Sequence, residues 1–449
     1  MMSYEQLETA LKERDQAPHP AELSDFIEQE HAADLARFVA EWPPQDAWRV
    51  LDLLELSQQA EVFGYLPHQF QVDMADSVAR DRLARLVTEM NSDERADLYN
   101  ELSEEQRAAL LPALARAERE DIRRLASYPK DTAGAIMTSD YAVLTAELTT
   151  GEALQKLREE ALDQETIYRT YVIDSDRQLV GSVRLQDLFL APSKARVSDV
   201  MERNTHAVTV TDDQEQVAQQ VARYDLLALP VVDAEGRLVG IVTHDDAMDV
   251  IQEEATEDFH RVGASKMVRN MRDASVFMLY RARIVWLILL VFGNIFSGAG
   301  IAYFEDTITA YVALVFFLPL LIDSGGNAGS QSATLMVRAL ATGQVRLNDW
   351  SWMIGREVLV ALLMGLSMAA AVSVIGIFRA GPEIALVVAL SMVIIVIVGS
   401  VIGMLLPFAL TKLNLDPATA SAPLVTSIAD AAGVLIYFAI ATAFLFPTI

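Results

Sequence analysis

Long runs with at most one charge, all C-terminal to Met271, constrain this chain more than any other feature. A helix rises about 1.5 Å per residue, so about 20 apolar residues cross a hydrocarbon core of about 30 Å. The runs that reach this length are 284–304, 307–337, 358–378, 384–411 and 417–449. The second run holds one charge, Asp323, and the last holds one, Asp430. The sequence therefore predicts five membrane-spanning helices.

The remaining charges are unevenly distributed along the chain. Of the formal net charge of −27, the segment 271–449 accounts for −1 and the segment 1–270 for −26. An acidic half argues against nucleic acid as a partner, because phosphates need Lys and Arg, and it is compatible with cations. A merely solvated acidic surface gives the same composition. The charge alone therefore leaves both interpretations open.

The orientation in the membrane follows from the residues that flank the spans. The chain has no cysteine, and its opening, MMSYEQLETALKERD, lacks the apolar core of a signal peptide, so we expect the soluble part in the cytosol. With that orientation Arg379 is the one basic residue on the outer side, which obeys the positive-inside rule. The cytosolic flanks carry Arg272, Arg281, Arg283, Arg338, Arg346, Arg356 and Lys412. We predict a multi-pass protein of the cell (inner) membrane with its C-terminus outside.

The N-terminal segment 1–130 contains a helical repeat. The segments WPPQDAWRVLDLL, LPHQFQVDMADSV and MNSDERADLYNEL begin at equal intervals, at Trp42, Leu66 and Met90, and each leads from a turn into an amphipathic helix. A short period of this kind is typical of stacked helix pairs. The sequence predicts a small superhelical domain, most of whose residues serve as scaffold.

A second repeat follows between about Asp131 and Val250. YVIDSDRQLVGSVRLQDL from Tyr171 matches PVVDAEGRLVGIVTHDDA from Pro230. Each copy reads as strand, turn, strand and helix, and the pair resembles tandem CBS domains, which commonly sense adenine nucleotides or metal ions. In that family a hydroxyl followed three residues later by Asp often contacts ribose and phosphate.

That nucleotide motif falls on Thr243 and Asp246 in the second copy. The first copy has Arg184 where Ser or Thr would be expected, which argues against a nucleotide there. A helix cap explains Thr243 and Asp246 equally well, because Thr243 precedes a helix and Asp246 lies in its first turn. Both interpretations remain open at this point, and ATP is a candidate ligand.

The second span contains a polar stretch, DSGGNAGSQSA, from Asp323 to Ala333. The pair Gly325 and Gly326 is unfavourable inside a helix, and we expect a broken stretch that is buried in protein or lines a wet cavity. Close helix packing is the alternative for the glycines. Packing does not explain Asp323, Asn327 and Gln331.

Asp430 is the sharpest candidate for function. An ionisable residue within a span is costly and usually faces an aqueous path. If the last helix starts after Pro423, Asp430 lies about two turns in, too deep to serve as a cap. Mg²⁺ prefers oxygen ligands and keeps several waters, whereas zinc or copper would favour His or Cys, which the segment 271–449 lacks. In a homodimer, one Asp430 from each subunit would face a hydrated ion on the twofold axis.

The segment that joins the second repeat to the first span is acidic. On a helix Asp249, Glu253 and Glu257 lie four residues apart on one face, and Glu254 and Asp258 form a second row. Like charges at this spacing repel by a few tenths of a kcal/mol per pair, so bound cations would stabilise the helix. A solvated acidic helix is the alternative.

Together these features resemble the MgtE family of magnesium channels, and the resemblance rests on GGNAGSQSATLMVRALATG and DPATASAPLVTSIADAAGVLIYF in the second and fifth spans. It implies a homodimer with a pore on the twofold axis, gated by cytosolic Mg²⁺. The implied domains are a helical N domain 1–130, tandem CBS domains 131–250, an acidic connecting or plug helix 251–280 and a five-helix transmembrane domain 281–449.

The resemblance also implies site residues. The pore acid falls on Asp430, the acid at the inner mouth on Asp416 and the Gly-Gly-Asn stretch on Gly325, Gly326 and Asn327. The cation-sensing acids fall on Glu215, Asp225, Asp246, Asp249, Glu254, Glu257 and Asp258, and those of the helical domain on Asp93 and Asp97. Asp323 stands where many members have glycine, so its role is open.

The sequence thus predicts a Mg²⁺ channel for uptake into the cytosol, closed when Mg²⁺ bridges its acidic faces. A transporter that exchanges divalent cations against Na⁺ or H⁺ is the nearest alternative. A CBS-regulated anion channel would need basic groups along the path. An intramembrane protease would need a site such as His-Glu-x-x-His, which the sequence lacks, so we expect no enzyme.

Overall fold

A computed structural model describes residues 30–160, 164–263, 274–413 and 415–446. The opening segment, Arg272 and part of the predicted connecting segment 251–280 lie outside the described residues. The chain divides into two compact units, Met1–Ile251 and Gln252–Ile449, which are described separately.

The first unit begins with helices whose starts are evenly spaced along the chain. Each helix packs against the one two places further along, so alternate helices form two stacked layers around a shared apolar core. The predicted helical repeat is therefore confirmed, as a pair of helices per repeat. The helices are α1 Ala32–Val39, α2 Pro44–Leu51, α3 Leu56–Gly64, α4 His68–Asp76, α5 Arg80–Glu89, α6 Ser92–Glu101, α7 Glu104–Leu110 and α8 Arg116–Leu125.

Two copies of one α/β unit follow, as the second repeat predicts. In each copy the middle strand pairs in parallel with the first strand and antiparallel with the third. The first copy is β1 Tyr141–Leu144, α9 Thr150–Glu160, β2 Thr166–Ile173, β3 Leu179–Arg184 and α10 Leu185–Leu190, followed by the short α11 Val197–Val200. The second is β4 Val208–Thr209, α12 Gln214–Arg223, β5 Ala228–Val232, β6 Leu238–Thr243 and α13 His244–Val262.

The two sheets pack against each other through a shared apolar cluster. Tyr171, Ala228, Leu238 and Ile241 are buried there. The hydroxyl of Tyr171 donates a hydrogen bond of 3.1 Å to the carbonyl of Ala228, so the buried phenol is satisfied. This packing holds the two copies as one pair.

The second unit contains the predicted membrane part. Five helices of the described residues are long and apolar enough to cross a bilayer. These are α14 Val276–Tyr303, α16 Ala313–Ala341, α17 Trp350–Ala380, α18 Pro382–Lys412 and α19 Ala422–Leu445, with a short α15 Glu305–Ala310 between the first two. The five predicted spans are confirmed.

The expectation of a broken second span is wrong. Helix α16 runs without interruption from Ala313 to Ala341, through the whole polar stretch. A Cβ on Gly329 would lie 2.7 Å from the carbonyl oxygen of Gly399, and a Cβ on Gly403 would overlap the carbonyl oxygen of Gly329. The glycines therefore allow close contact with α18, which is the packing alternative. The helix stays continuous because lipid offers its backbone groups no other hydrogen-bond partner.

We predict that Gly403→Ala destabilises the protein by about 1–3 kcal/mol, because the added methyl group must push α16 and α18 apart. Thermal unfolding of the purified protein in detergent measures this. Gly355→Ala in α17 is the matched control, since nothing lies within 4 Å of its Cβ position, and it should be neutral or slightly stabilising. An equal effect of both substitutions would contradict the packing role.

Candidate cation sites

Asp430 lies well inside helix α19. The helix begins at Ala422, with Pro423 in its first turn, and Pro417 starts a separate short 3₁₀ turn. Asp430 is eight residues from the start, a rise of about 12 Å. It is therefore too deep to cap the helix, as predicted for a start near Pro423.

Helix α16 lies directly against this part of α19. The hydroxyls of Ser330 and Thr426 are hydrogen-bonded at 3.1 Å. One turn further along, a Cβ on Gly326 would lie 2.8 Å from the Cγ2 of Thr426 and 3.3 Å from the Oδ1 of Asp430. The absence of a side chain at Gly326 thus makes room for the Asp430 carboxylate.

The Asp430 carboxylate lacks a protein partner on one side. Its Oδ1 is buried and accepts no hydrogen bond from the described residues. An unsatisfied carboxylate oxygen in a span is costly, and a cation or its hydration water would satisfy it. Asn327 and Asp323 are exposed on α16, one helical turn apart. Within the Gly-Gly-Asn stretch, Gly326 is the residue whose Cβ position lies against Asp430.

Asp416 lies just before α19 and has partners for both oxygens. Its Oδ1 accepts a hydrogen bond of 2.7 Å from the backbone N–H of Ala418. Its Oδ2 forms an ion pair with Arg261 in the last turn of α13, and Arg261 also pairs with Glu257. The neighbouring Val262 packs against Val337, Ala418 and Ala420. The end of the connecting helix therefore covers the segment that carries Asp416.

The other acids of the connecting helix lie around this contact. Glu254, Glu257 and Asp258 are half-buried, within three turns of the ion pair with Asp416. Burial raises the pKa of Asp258, an effect that Arg261 opposes. Asp249 lies nearer the helix start and is exposed. The predicted acidic rows are thus present on one continuous helix.

A second group of carboxylates lies in the first unit, between α6 and the start of α13. It consists of Asp93 and Asp246, which were predicted, and of Glu94 and Glu165, which were not; we call these four residues the buried acid cluster. The Oδ1 of Asp93 and the Oε2 of Glu165 are buried without a hydrogen-bond partner among the described residues. The cluster therefore has unused oxygen ligands.

The pKa values of the cluster reflect this crowding. Burial, with repulsion from Asp246 and Glu165, raises the pKa of Asp93 well above its usual range. Burial and repulsion from Glu165 and Asp246 raise the pKa of Glu94 to about 8. Burial and the Asp246 charge raise the pKa of Glu165 to about 7, and burial raises the pKa of Asp246 to about 6. These shifts mean that the ionised cluster is strained unless protons or cations neutralise it.

The arrangement favours a hydrated ion over a bare one. Within the described ranges, no three acidic or imidazole side chains converge as ligands of a single ion. Mg²⁺ usually keeps several waters, so carboxylates that reach it through water need not converge. The structure thus offers charge and acceptors in place of a preformed ligand cage.

Three other predicted sensing residues of the first unit do not belong to the buried acid cluster. Asp97 is exposed one turn beyond Asp93 on α6. Glu215 lies in the first turn of α12, and Asp225 follows the end of that helix in a left-handed conformation, with φ of 49°. Glu215 lies eight helical residues, a rise of about 12 Å, before the helix ends at Arg223, so Glu215 and Asp225 do not form one site.

Thr243 and Asp246 are bonded to each other. The Thr243 hydroxyl donates to the Asp246 carboxylate at 2.5 Å, at the junction of β6 and α13. The first copy has the same arrangement, because Arg184 pairs with Asp187 at 2.7 Å. A cavity of about 190 Å³ lies elsewhere in the pair. Its lining is Arg169, Glu202, Asn204, Thr205, His206, Tyr224, Leu226, Ala228 and Pro230.

This cavity and part of the acid cluster could not be predicted from the sequence. Glu165 immediately precedes β2, outside the two matching sequence segments, and it meets Asp93 and Asp246 only through tertiary packing. In the cavity, the His206 and Tyr224 rings stack with centroids 4.4 Å apart. Glu94 is adjacent to the predicted Asp93, which is the one signal the sequence offered for it.

Comparison with protein-family models agrees with the three-part architecture. Residues 318–440 match MgtE, described as a divalent cation transporter. Residues 30–131 match the MgtE intracellular N domain. Residues 133–194 and 197–253 match the CBS domain.

Similar proteins extend over almost the whole chain. The chain is 37% identical to the magnesium transporter MgtE of Thermus thermophilus, over 97% of this chain and 98% of that protein. It is 36% identical to the magnesium transporter MgtE of Bacillus subtilis, over 94% of each. Among solved structures, the cytosolic domain of the Mg²⁺ channel MgtE in complex with ATP is 35% identical, with a TM-score of 0.52, and covers 55% of this chain and 100% of that structure.

Proposed function

We propose that this chain, which belongs to the MgtE family of magnesium transporters, is a Mg²⁺-selective channel for uptake into the cytosol. The observation that carries the proposal is the Asp430 carboxylate, held inside a span beside Gly326 with one buried oxygen unpartnered. Magnesium transport is the function of the family, rather than catalysis. The channel mechanism and its gating are our proposal.

We propose that the pore lies on the twofold axis of a homodimer. One Asp430 from each subunit would then supply two carboxylates to a hydrated ion, which suits the reluctance of Mg²⁺ to lose water. The segment 271–449 contains neither His nor Cys, so softer metals find no preferred ligand in the spans. The soluble domains face the cytosol and the C-terminus lies outside, as the flanking charges favour.

We propose that the cytosolic acids sense Mg²⁺. At high internal Mg²⁺, ions neutralise the buried acid cluster and the rows on α13, and the gate closes. At low Mg²⁺ the same acids repel and the closed arrangement loses stability. The contact of Arg261 with Asp416 supports this scheme, since it links the end of α13 to the segment before α19. Asp97, Glu215, Asp225 and Asp249 are further proposed ligands.

We also propose that the CBS pair binds an adenine nucleotide in the cavity beside Tyr224, because the solved cytosolic domain similar to this chain is in complex with ATP. Arg169 can meet a phosphate, and the aromatic rings of His206 and Tyr224 can pack on a base. The motif residues Thr243 and Asp246 are the alternative site. They are bonded to each other, as Arg169 is to Glu202 in the cavity, and Asp246 also lies beside Asp93.

Binding of ATP to the purified protein separates the two nucleotide sites. We expect Tyr224→Ala to weaken ATP binding about tenfold, as loss of stacking by about 1–3 kcal/mol implies. Thr243→Ala should bind ATP like the parent. Isothermal titration calorimetry measures both, and the reverse pattern would favour the Thr243 and Asp246 site.

For permeation, we expect Asp430→Asn to reduce Mg²⁺ uptake by liposomes at least about tenfold, because it removes the charge that binds the ion, a contact of about 1.5–3 kcal/mol. Glu383→Gln is the matched control, since Glu383 is exposed in the first turn of α18, and it should take up Mg²⁺ like the parent. The parent should carry a Mg²⁺ current without any Na⁺ or proton gradient. Uptake that requires such a gradient would favour the exchanger.

For gating, we expect millimolar Mg²⁺ to protect the purified protein from limited proteolysis. Asp93→Asn should need several-fold more Mg²⁺ for the same protection, because it removes one charge from the buried acid cluster. Asp81→Asn, at an exposed acid in the first turn of α5, is the control and should behave like the parent. Protection that is independent of Mg²⁺ would refute the gating scheme.

A further inference from the structure

Asp323 lies well inside the described helix α16, and the proposed function assigns it no role. Its position follows from a series of contacts between α16 and the antiparallel α19. The hydroxyls of Ser330 and Thr426 share a hydrogen bond, and the Gly326 position faces Asp430. Further along, the Tyr437 hydroxyl donates to the Leu314 carbonyl at 3.0 Å. These three contacts fix the positions of the two helices relative to each other along their axes.

In this arrangement Asp323 lies less than one helical turn beyond the level of Asp430. It is three residues from Gly326 in the direction of Leu314, a rise of about 4.5 Å. This direction leads away from Asp416, which precedes the start of α19. An ion that approaches Asp430 from the side opposite Asp416 therefore passes the level of Asp323 first.

The described residues offer no partner for the charge of Asp323. The side chain is exposed in the single chain, and among the described residues it has neither an ion pair nor a hydrogen bond. It lies ten residues from the start of α16, about 15 Å along the helix. A carboxylate at this depth that faced lipid would cost several kcal/mol, so its face of α16 must line an aqueous path.

The two carboxylates also act on each other. Asp323 is close enough to Asp430 for their charges to repel. Asn327, exposed one turn from Asp323 on the same face, adds a neutral oxygen at about the level of Asp430. Two unpaired acids at successive levels are stabilised together by a divalent cation, whereas either alone attracts it less.

We propose that Asp323 is a second carboxylate of the permeation path, which concentrates a hydrated divalent cation before it reaches Asp430. The proposal rests on the proposed role of Asp430. Asp323 acts through the hydration shell, so it raises the occupancy of the path without stripping the ion. An ion at the level of Asp323 also repels one at Asp430, which helps the inner ion to leave.

The test is Mg²⁺ uptake by liposomes over a range of external Mg²⁺. Asp323→Asn should raise the half-saturating concentration about fivefold, the effect of one carboxylate on a divalent ion across about 8 Å of water. The maximal rate should stay within about twofold of the parent, because Asp430 remains. Asp323→Glu, which keeps the charge, should restore the half-saturating concentration.

The control is Asp306→Asn in α15, which removes a negative charge outside the long spans. It should leave the half-saturating concentration unchanged; an equal rise in this variant would mean a general surface-charge effect and would overturn the proposal. An Asp323→Asn variant with parent-like half-saturation would overturn it as well. If Asp323→Asn does not fold, as judged by size-exclusion chromatography, Asp323→Ser replaces it under the same expectations.

Asp430→Asn, measured in parallel, distinguishes the two failures. If this variant loses uptake and Asp323→Asn is parent-like, the proposed function stands and only the role of Asp323 is refuted. If Asp430→Asn keeps full uptake, the permeation path itself is misassigned and the Asp323 proposal falls with it.

Discussion

Backbone contact between α16 and α18 is the constraint on which the membrane part depends. Gly325 and Gly329 on one helix meet Gly399 and Gly403 on the other, so carbonyl groups lie where side chains would otherwise stand. This contact lets a stretch with poor helix propensity remain a helix, because lipid offers the backbone no other partner. On another face of α16, Gly326 lies against Thr426 and Asp430 of α19. Glycines therefore allow close approach of α16 to both neighbours, and the candidate ion site lies at the second of these contacts.

Carboxylates without protein partners occur in both units. The Oδ1 of Asp430 in the membrane, and the Oδ1 of Asp93 and the Oε2 of Glu165 in the soluble part, are buried and unsatisfied among the described residues. Buried polar atoms usually have partners, so a cation beside any of these oxygens would lower the free energy of the charged carboxylate. Asp416 differs, because Ala418 and Arg261 occupy its oxygens. The Arg261 guanidinium supplies the positive charge that a metal ion would otherwise supply to Asp416, and the ion pair links α13 to the segment before α19.

The features that could be predicted from the sequence are those carried by a period or a run. The evenly spaced helix starts, the paired α/β units and the five spans all leave such a pattern, and Asp430 stood out because it interrupts one. The continuity of α16 was mispredicted, since glycine propensities measured in water do not account for helix packing in lipid. Glu165 and Arg261 left no signal, because their partners are distant in sequence.

The proposed permeation path and the proposed sensing cluster both consist of carboxylates that would bind an ion through its water shell. Selection by stripping an ion of water requires several fixed ligands that converge, and in the part of the chain that the structure describes no three acidic or imidazole side chains do so. Selection by charge and by the retained water shell requires space instead. A Cβ on Gly433 in α19 would still lie 3.6 Å from Ile395, and small residues flank Asp430 on both sides. Contacts through water are also weak and quickly reversed, so in the proposed function the same chemistry would serve both the movement of ions along the path and the response of the sensor to the Mg²⁺ concentration.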